Sequence, residues 1–336
     1  MIEKIVVDAF GGDNAPQEVV KGAIEAIADK TFGVALVGNK EAIENELAKY
    51  EYDKDYVEIL EADEVISNDE SPTEAIRKKK NSSIVVGASS LNEREDFVAY
   101  FSAGSTGANL AAAIFKIGRI KGVQRPALTV ALPNAKGGET LLLDAGANVD
   151  CKPEYLYQFA QMGNIYMKMV YGIKEPKVAV LSNGTEDHKG SNLSKTAFEL
   201  ISGDDNINFV GNMEARDLLS GNYDVIVADG FDGNVALKST EGAIMTVLGF
   251  LKAGIKSRFL SKIGALFMKK TFDDLKGKLD YNKKGGAVLL GISKVVVKGH
   301  GSSKAESIKM AIKQAYGLYK AGFVEEIKEL LKKEIV

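Results

Sequence analysis

Residues Ser102-Ala-Gly-Ser-Thr-Gly-Ala-Asn109 decide how this chain is read. Phe97 to Phe101 precede them and have the composition of a buried strand. Leu110-Ala-Ala-Ala-Ile-Phe115 follow with the composition of a helix. The stretch is therefore a Gly-rich turn from the end of a strand into the start of a helix. The first backbone N–H groups of a helix have no intrahelical partner, and the helix dipole adds partial positive charge there. Such a corner accepts an anion. Gly104 and Gly107 let the backbone approach it closely, while Ser102, Ser105 and Thr106 offer hydroxyls. An ordinary βα turn also needs glycine, so the weight rests on repetition.

The pattern is repeated. Ile5-Val6-Val7 runs into Asp8 and then Ala9-Phe-Gly-Gly-Asp-Asn-Ala-Pro16, with Pro16 expected in the first turn of a helix. Asp13 suits a helix cap; Asp8, at the strand's carboxyl edge, does not. Thr140 to Asp144 opens into Ala145-Gly-Ala-Asn-Val-Asp-Cys-Lys152. Val178 to Leu181 opens into Ser182-Asn-Gly-Thr-Glu-Asp-His-Lys-Gly190. Val225 to Ala228 leads to Asp229-Gly-Phe-Asp-Gly-Asn234, and Val295 to Val297 leads to Lys298-Gly-His-Gly-Ser-Ser303. Six polar, Gly-rich corners at strand ends exceed what turn chemistry requires. Strands alternating with helices predict an α/β fold, a mainly parallel sheet flanked by helices, with ligands outside the carboxyl ends of the strands.

Composition narrows the function. The 336 residues suffice for two domains or one large one, and 45% hydrophobic with 26% charged residues is ordinary for a globular protein. A net charge of -3 gives no general affinity for nucleic acid. The single cysteine, Cys151, excludes an intramolecular disulfide and suits a reducing cytoplasm. It follows an acidic position and has no adjacent base, which favours packing over nucleophilic chemistry. The N-terminus enters a strand directly, without the layout of a signal peptide. No apolar run approaches the roughly 20 residues of a membrane span. Aspartates fall singly at corners and no Cys/His cluster occurs, so no metal is expected. No Gly-x4-Gly-Lys-Ser/Thr motif occurs, so ATP chemistry is not expected, nor is any cofactor.

Two charged stretches stand apart. Ser71-Pro-Thr-Glu74 reads as a capping box opening a helix that carries Arg77-Lys-Lys-Lys80. Four basic residues in a row make either a solvated surface or a dock for an acidic protein. From Gly242 to Phe272 no acidic residue occurs, while lysines and Arg258 recur. Apolar residues there fall at helical spacing, from Ile244 to Ile255 and again at Phe259, Ile263, Leu266 and Phe267. A basic amphipathic helix pair would lie on an anionic membrane surface, with those last four residues facing it; a dimer-interface helix would bury the same face.

The chain closely resembles, over essentially its whole length, the phosphate acyltransferase of bacterial phospholipid synthesis, the PlsX family. The resemblance rests on Asp8-Ala-Phe-Gly-Gly-Asp13 with Ala15-Pro16, Ser102-Ala-Gly-Ser-Thr-Gly-Ala108, Asp144-Ala-Gly-Ala-Asn-Val-Asp-Cys-Lys152, Asp229-Gly-Phe-Asp-Gly-Asn234 with Leu237-Lys238, and His300-Gly-Ser-Ser303. Phe10, Ser105 and Asp232 depart from the residues usual there, without removing a glycine or a charged residue. The resemblance implies transfer of an acyl group from acyl-[acyl carrier protein] to inorganic phosphate. The resulting acyl phosphate would supply a downstream membrane glycerol-3-phosphate acyltransferase. It implies a homodimer in the cytoplasm, peripherally associated with the inner face of the cell membrane. It also implies a two-domain fold with a cleft, similar to phosphotransacetylase and isocitrate dehydrogenase. Residues 1–127 with 289–336 would form the first α/β domain, and 128–288 the second, carrying the dimer-interface and amphipathic helices.

Roles can be set beside this. Phosphate is already a nucleophile, so the protein must hold it against the thioester carbonyl and stabilise an oxyanion. The loop Ser102–Gly107 and residues His300, Ser302 and Ser303 are candidates to share these anionic groups, with Gly11, Gly12 and Asp13 beside them. Lys189, Lys152 and Lys238 are candidates to neutralise phosphate charge, and Asp144, Asn148 and Asn234 to contact substrate. His300 would protonate the leaving thiolate, oriented by Asp8 or Asp229; a structural hydrogen bond beside a tight Gly turn explains it equally. A short-chain, coenzyme A-dependent phosphotransacetylase shares fold and reaction without needing the amphipathic pair. A decarboxylating NAD-dependent dehydrogenase of this fold needs an acidic metal cluster and a nicotinamide loop, and the sequence has neither. A membrane scaffold does not need so many polar Gly corners.

Overall fold

The computed structural model describes residues 1–279 and 285–334. The chain opens with β1 (Lys4–Asp8), α1 (Gln17–Ala26), β2 (Gly33–Gly38), α2 (Lys40–Leu47) and β3 (Val57–Glu61). Next come α3 (Pro72–Lys78), α4 (Ser83–Glu93), β4 (Phe97–Ser102) and α5 (Thr106–Ala112), which continues into a π-helical turn, Ala113–Ile117. The middle holds β5 (Ala127–Pro133), β6 (Glu139–Leu143), α6 (Pro153–Tyr171), β7 (Val178–Ser182), α7 (Asn192–Ser202), β8 (Phe209–Glu214) and β9 (Val225–Val227). Then follow α8 (Gly230–Ser257), α9 (Phe259–Phe267), α10 (Lys269–Leu279), β10 (Ala287–Leu290), β11 (Val295–Lys298), α11 (Ala305–Lys320) and α12 (Phe323–Glu334).

These elements form two compact units, one of Met1–Val130, Gln161–Glu175 and the described part of Asn282–Val336, the other of Ala131–Ala160 with Pro176 onward to the end of α10. The boundaries expected from sequence, 127/128 and 288/289, leave residues 161–175 in the second part, whereas in the fold they belong to the first unit. Residues 280–284, within the expected second domain, and 335–336, within the first, lie outside the described residues.

In the first unit the strand order is β3-β2-β1-β4-β11-β10-β5. The first five are parallel, and β10 runs antiparallel to both neighbours. β2 and β4 are buried at every residue, as β-branched and aromatic runs covered on both faces must be. Register sets what matters next. Val7 lies beside Phe101, and Ser102 beside Lys298, so β1, β4 and β11 end together. The second unit carries β6-β9-β7-β8, all parallel.

Local signals hold with three corrections, the first being that α3 ends at Lys78, so Lys79 and Lys80 of the basic run lie beyond the helix expected to carry them. Pro16 precedes α1 as its cap residue rather than occupying the first helical position. Ser71 and Pro72 do open α3, but the Ser71 side chain makes no capping hydrogen bond, and Glu74 pairs with Lys78 at 2.6 Å instead. Strands β8 and β10 and helix α4 have no counterpart in the sequence reading, because their apolar runs are short or interrupted.

Helix α1 packs on α11 through a glycine. A Cβ at Gly22 would stand 2.7 Å from the Ala305 carbonyl oxygen and 2.8 Å from Ile308 Cβ. Gly22→Val is expected to destabilise the fold by about 1–3 kcal/mol through overpacking. A fall in the urea midpoint at unchanged slope checks this.

Candidate active site

The side-by-side ends of β1, β4 and β11 put three loops together on one edge of the first unit. Asp8 closes β1 and is wholly buried. Its Oδ2 accepts a hydrogen bond from Ser102 Oγ at 2.6 Å, and its Oδ1 accepts from the Phe10 N–H at 3.2 Å. Ser102 Oγ in turn accepts from the Gly104 N–H and from Asn109 Nδ2, both at 3.0 Å. Asn109 Nδ2 also donates to the Ser105 carbonyl at 3.0 Å, and its Oδ1 accepts from Tyr100 OH at 3.2 Å. Sequence reasoning placed Ser102 among groups offering a hydroxyl to an anion; in the fold its one hydrogen is directed at Asp8. Burial pushes the Asp8 carboxyl above the usual carboxylate range, against the hydrogen bonds from Ser102, Ser83 and the Phe10 and Gly11 N–H groups. Burial and the nearby Asp8 charge raise the Tyr100 phenol well above its ordinary value, so it stays a donor.

Glycine is required where these loops meet. A Cβ at Gly11 would lie 2.5 Å from Asp8 Oδ2 and 2.6 Å from the Gly104 nitrogen. Gly12 has φ +97°, and its Cβ would lie 2.9 Å from the Gly301 carbonyl oxygen. Gly107 answers to packing instead, since its Cβ would strike the Pro72 ring at 2.5 Å. Ser105 caps α5 from outside its first turn, beside Thr106.

The loop after β11 is fastened to the same edge. The Gly299 N–H donates to the Ser102 carbonyl at 2.9 Å, and the Asp13 N–H to the Gly301 carbonyl at 2.8 Å. Asn14 Nδ2 donates to the carbonyls of Ser302 and Ser303, each at 3.2 Å. Glu18 Oε2 accepts from the Ala305 N–H at 2.7 Å, at the start of α11. His300 and Ser302 are exposed and bonded to each other, Nδ1 to Oγ at 2.8 Å. The Ser302 N–H also points at Nδ1, at 3.2 Å, which assigns the proton of the neutral ring to Nε2. Asp8 lies beneath Ser102, bonded there rather than to His300. Ser303 is buried, its N–H on the His300 carbonyl at 3.0 Å. Asn14, Glu18, Tyr100 and Asn109 hold this edge, and sequence reasoning assigned none of them a role. Asn109 carried a signal, a polar residue seven positions after Ser102 at the start of a helix.

The second unit treats its strand-end aspartates differently. Asp144 is wholly buried. Its oxygens accept from the N–H groups of Gly146 (3.2 Å), Ala147 (3.0 Å) and Asn148 (2.7 Å) and from Asn148 Nδ2 (2.8 Å). The pair expected to contact substrate thus shapes its own loop. Asp229 caps α8 through the Asp232 N–H at 2.7 Å, and burial raises its carboxyl above the ordinary value. Gly233 admits the Asp144 carbonyl, which a Cβ would meet at 2.0 Å. Asn234, Lys152 and Lys238 are exposed, and Lys238 pairs with Glu241 at 2.9 Å. Lys189 is half-buried, in the loop between β7 and α7. Cys151 is half-buried, its Sγ 3.5 Å from the Asn148 carbonyl.

The fold is shared with a phosphotransacetylase from Streptococcus pyogenes (TM-score 0.63, 18% identity, 95% of this chain and 94% of that one). Residues 3–326 match the family described as fatty acid synthesis protein. The phosphate acyltransferase of Clostridioides difficile (strain 630) is 45% identical over 98% of this chain and 96% of its own length. That of Dictyoglomus thermophilum (strain ATCC 35947 / DSM 3960 / H-6-12) is 46% identical over 98% of both. The chain belongs to the phosphate acyltransferase family, the PlsX family, and is an acyltransferase.

The raised Asp8 value has a testable sign. A carboxyl whose folded pKa exceeds its unfolded value, about 3.9, contributes stability fully present below that value and lost as pH rises through the folded one. Wild-type protein is therefore expected to lose stability relative to Asp8→Asn between pH 4 and 8, read as converging or crossing urea-unfolding free energies. A difference independent of pH would mean that Asp8 titrates normally.

Proposed function

We propose that this enzyme transfers a long-chain acyl group from acyl-[acyl carrier protein] to inorganic phosphate. The acyl phosphate then feeds glycerol-3-phosphate acylation in phospholipid synthesis, by a membrane glycerol-3-phosphate acyltransferase downstream. The observation that carries this reading is the convergence of the 102–105 and 299–303 loops over buried Asp8, which gathers hydroxyls, an imidazole and main-chain N–H groups on one edge. A phosphate oxygen bonds to the thioester carbonyl carbon, the oxyanion collapses, the C–S bond breaks, and the thiolate takes a proton. Loop N–H groups hold the anionic oxygens, Ser302 orients the His300 ring by donating to Nδ1, and His300 supplies the Nε2 proton. Asp8 and Ser102 position the loops without touching substrate.

Helix α9 supports a peripheral membrane role for what we read as a homodimer. Among the described residues no helix is long and apolar enough to cross a membrane. Yet no residue of α9 is buried, and Phe259 is 76% and Phe267 87% exposed, with Leu266 and Ile263 on the same helix. Phe250 on α8 is 74% exposed. Lysines and Arg258 flank these residues, a pairing that suits an anionic lipid surface. Such a location in the cytoplasm suits an enzyme with an insoluble product. The likeness in fold to phosphotransacetylase favours a second reading, a short acyl group carried by coenzyme A; α9 has no task in it.

Free carrier protein is expected to appear from palmitoyl-carrier protein only when phosphate is present, with acyl phosphate trapped by hydroxylamine. Faster turnover of acetyl-coenzyme A would favour the second reading. Ser302→Ala is expected to lower kcat at least tenfold, about 1.4 kcal/mol of transition-state stabilisation; unchanged turnover would remove the 299–303 loop from the mechanism. In sedimentation with phosphatidylglycerol vesicles, Phe259→Ser combined with Phe267→Ser should leave most of the protein in the supernatant. Wild-type protein should pellet, and less completely in high salt.

A further inference from the structure

The loop that carries His300 and Ser302 belongs to no regular element, and its shape is imposed from the opposite end of the chain. The segment that follows β1 does this with residues four apart. Asn14 Nδ2 donates to the carbonyls of Ser302 and Ser303, each at 3.2 Å. Glu18 Oε2 accepts from the Ala305 N–H at 2.7 Å. Gly22 lies against Ala305 and Ile308, with no room for a Cβ. The Glu18 N–H bonds the Asn14 carbonyl at 3.1 Å, so the helical turn already begins at Asn14 and the three residues share one face.

Asn14 differs from the other two. An asparagine just before a helix ordinarily turns its side chain onto that helix's own first N–H groups. Helix α1 has Pro16 as its cap residue and no side-chain capping bond, and Asn14 reaches instead across 288 positions. Both of its neighbours there are carbonyl oxygens, which assigns the amide nitrogen rather than the oxygen to the contact.

The consequence falls on Ser302. A trans peptide is planar, with its carbonyl and N–H pointing opposite ways, so a bond that holds the carbonyl also aims the N–H. The Asp13 N–H holds the Gly301 carbonyl at 2.8 Å, and across that plane the Ser302 N–H meets His300 Nδ1 at 3.2 Å. Asn14 holds the Ser302 carbonyl, and across that plane the Ser303 N–H meets the His300 carbonyl at 3.0 Å. The two peptide planes flanking Ser302 are thus fixed by consecutive residues, one through its main chain and one through its side chain. Fixing both planes fixes φ and ψ of Ser302, and with them the direction from which its Oγ reaches Nδ1 at 2.8 Å.

We propose that Asn14 is a positioning residue for the His300–Ser302 pair. Its amide clamps the loop so that Ser302 holds the imidazole by Nδ1 and leaves the Nε2 proton for transfer. The use of that proton rests on the reaction proposed above; the clamp does not.

Imidazole 15N spectra and steady-state kinetics of the same variants test this. The chain has two histidines, so histidine-labelled protein shows two imidazoles, and His188→Gln identifies that of His300. Ser302→Ala defines how the Nδ1 resonance moves when Oγ is lost. Asn14→Asp and Asn14→Ala should move it in the same direction. Asp29→Ala breaks another tie between the α1 segment and α11, the 2.9 Å bond from Lys313 Nζ, and should leave both the resonance and kcat as in wild type. In turnover of acyl-carrier protein, Asn14→Asp should lower kcat roughly tenfold or more with little change in KM. It should cost at least as much as Asn14→Ala, because an ionised carboxylate has the amide's size but only accepts hydrogen bonds. An unmoved Nδ1 resonance in both Asn14 variants overturns the clamp. So does a silent Asn14→Asp beside a costly Asn14→Ala, which would reduce Asn14 to packing. A shifted resonance beside wild-type kcat overturns the positioning role, and His300→Gln then separates the causes. Wild-type turnover in His300→Gln refutes the proton-donor reading, whereas lost turnover there refutes the role of Asn14 alone.

Discussion

The hydrogen bond from Ser102 to Asp8 is the constraint on which the first unit's polar edge depends. It joins the carboxyl ends of two neighbouring parallel strands at 2.6 Å, with both residues wholly buried. A carboxyl in that position is unfavourable unless its oxygens are answered, and removing one partner leaves a desolvated group behind. The surrounding donors follow from that requirement. Phe10 and Gly11 turn their N–H groups inward, Asn109 reaches back to Ser102, and Tyr100 fixes Asn109. Gly11 has no side chain because the carboxyl and the Gly104 nitrogen occupy its place.

A rigid polar floor of this kind lets the layer above it stay open to solvent. His300 and Ser302 are exposed, yet their loop is pinned by Gly299 on Ser102, Asp13 on Gly301 and Asn14 on two carbonyls. Exposed groups are thus held from below by buried ones. Preorganised donors of this sort stabilise developing negative charge without reorganising at the moment of reaction.

The second unit solves the same local problem by other means. Asp144 ends a strand as Asp8 does, but its own loop supplies the donors, and the corner closes on itself. What stays open there is a cavity between α8 and the β7–α7 loop, lined with small hydroxyl residues. Farther along the chain, α9 exposes large apolar side chains that no part of the described chain covers.

The local elements were legible because their causes are local. Runs such as Ile5-Val6-Val7 and Phe97–Phe101 fill buried parallel strands, and glycine with a short polar residue marks each place where a strand turns into a helix. Spacing alone displayed the apolar face of Phe259, Ile263, Leu266 and Phe267. The sequence could not say that Asp144 and Asn148 would close on each other, that Gly107 answers to Pro72, or that Ser102 would turn its hydrogen to Asp8. Nor could it pair Asn14 with Ser302, 288 positions away, or draw Gln161–Glu175 into the first unit. By itself, the sequence determined an α/β chain with polar, Gly-rich strand ends and the family to which those ends belong. Strand order decided which ends became neighbours, and it is set by pairings such as β4 with β11 that join residues far apart in the chain. Local propensity is blind to such pairings, because their energy exists only after the intervening chain has folded.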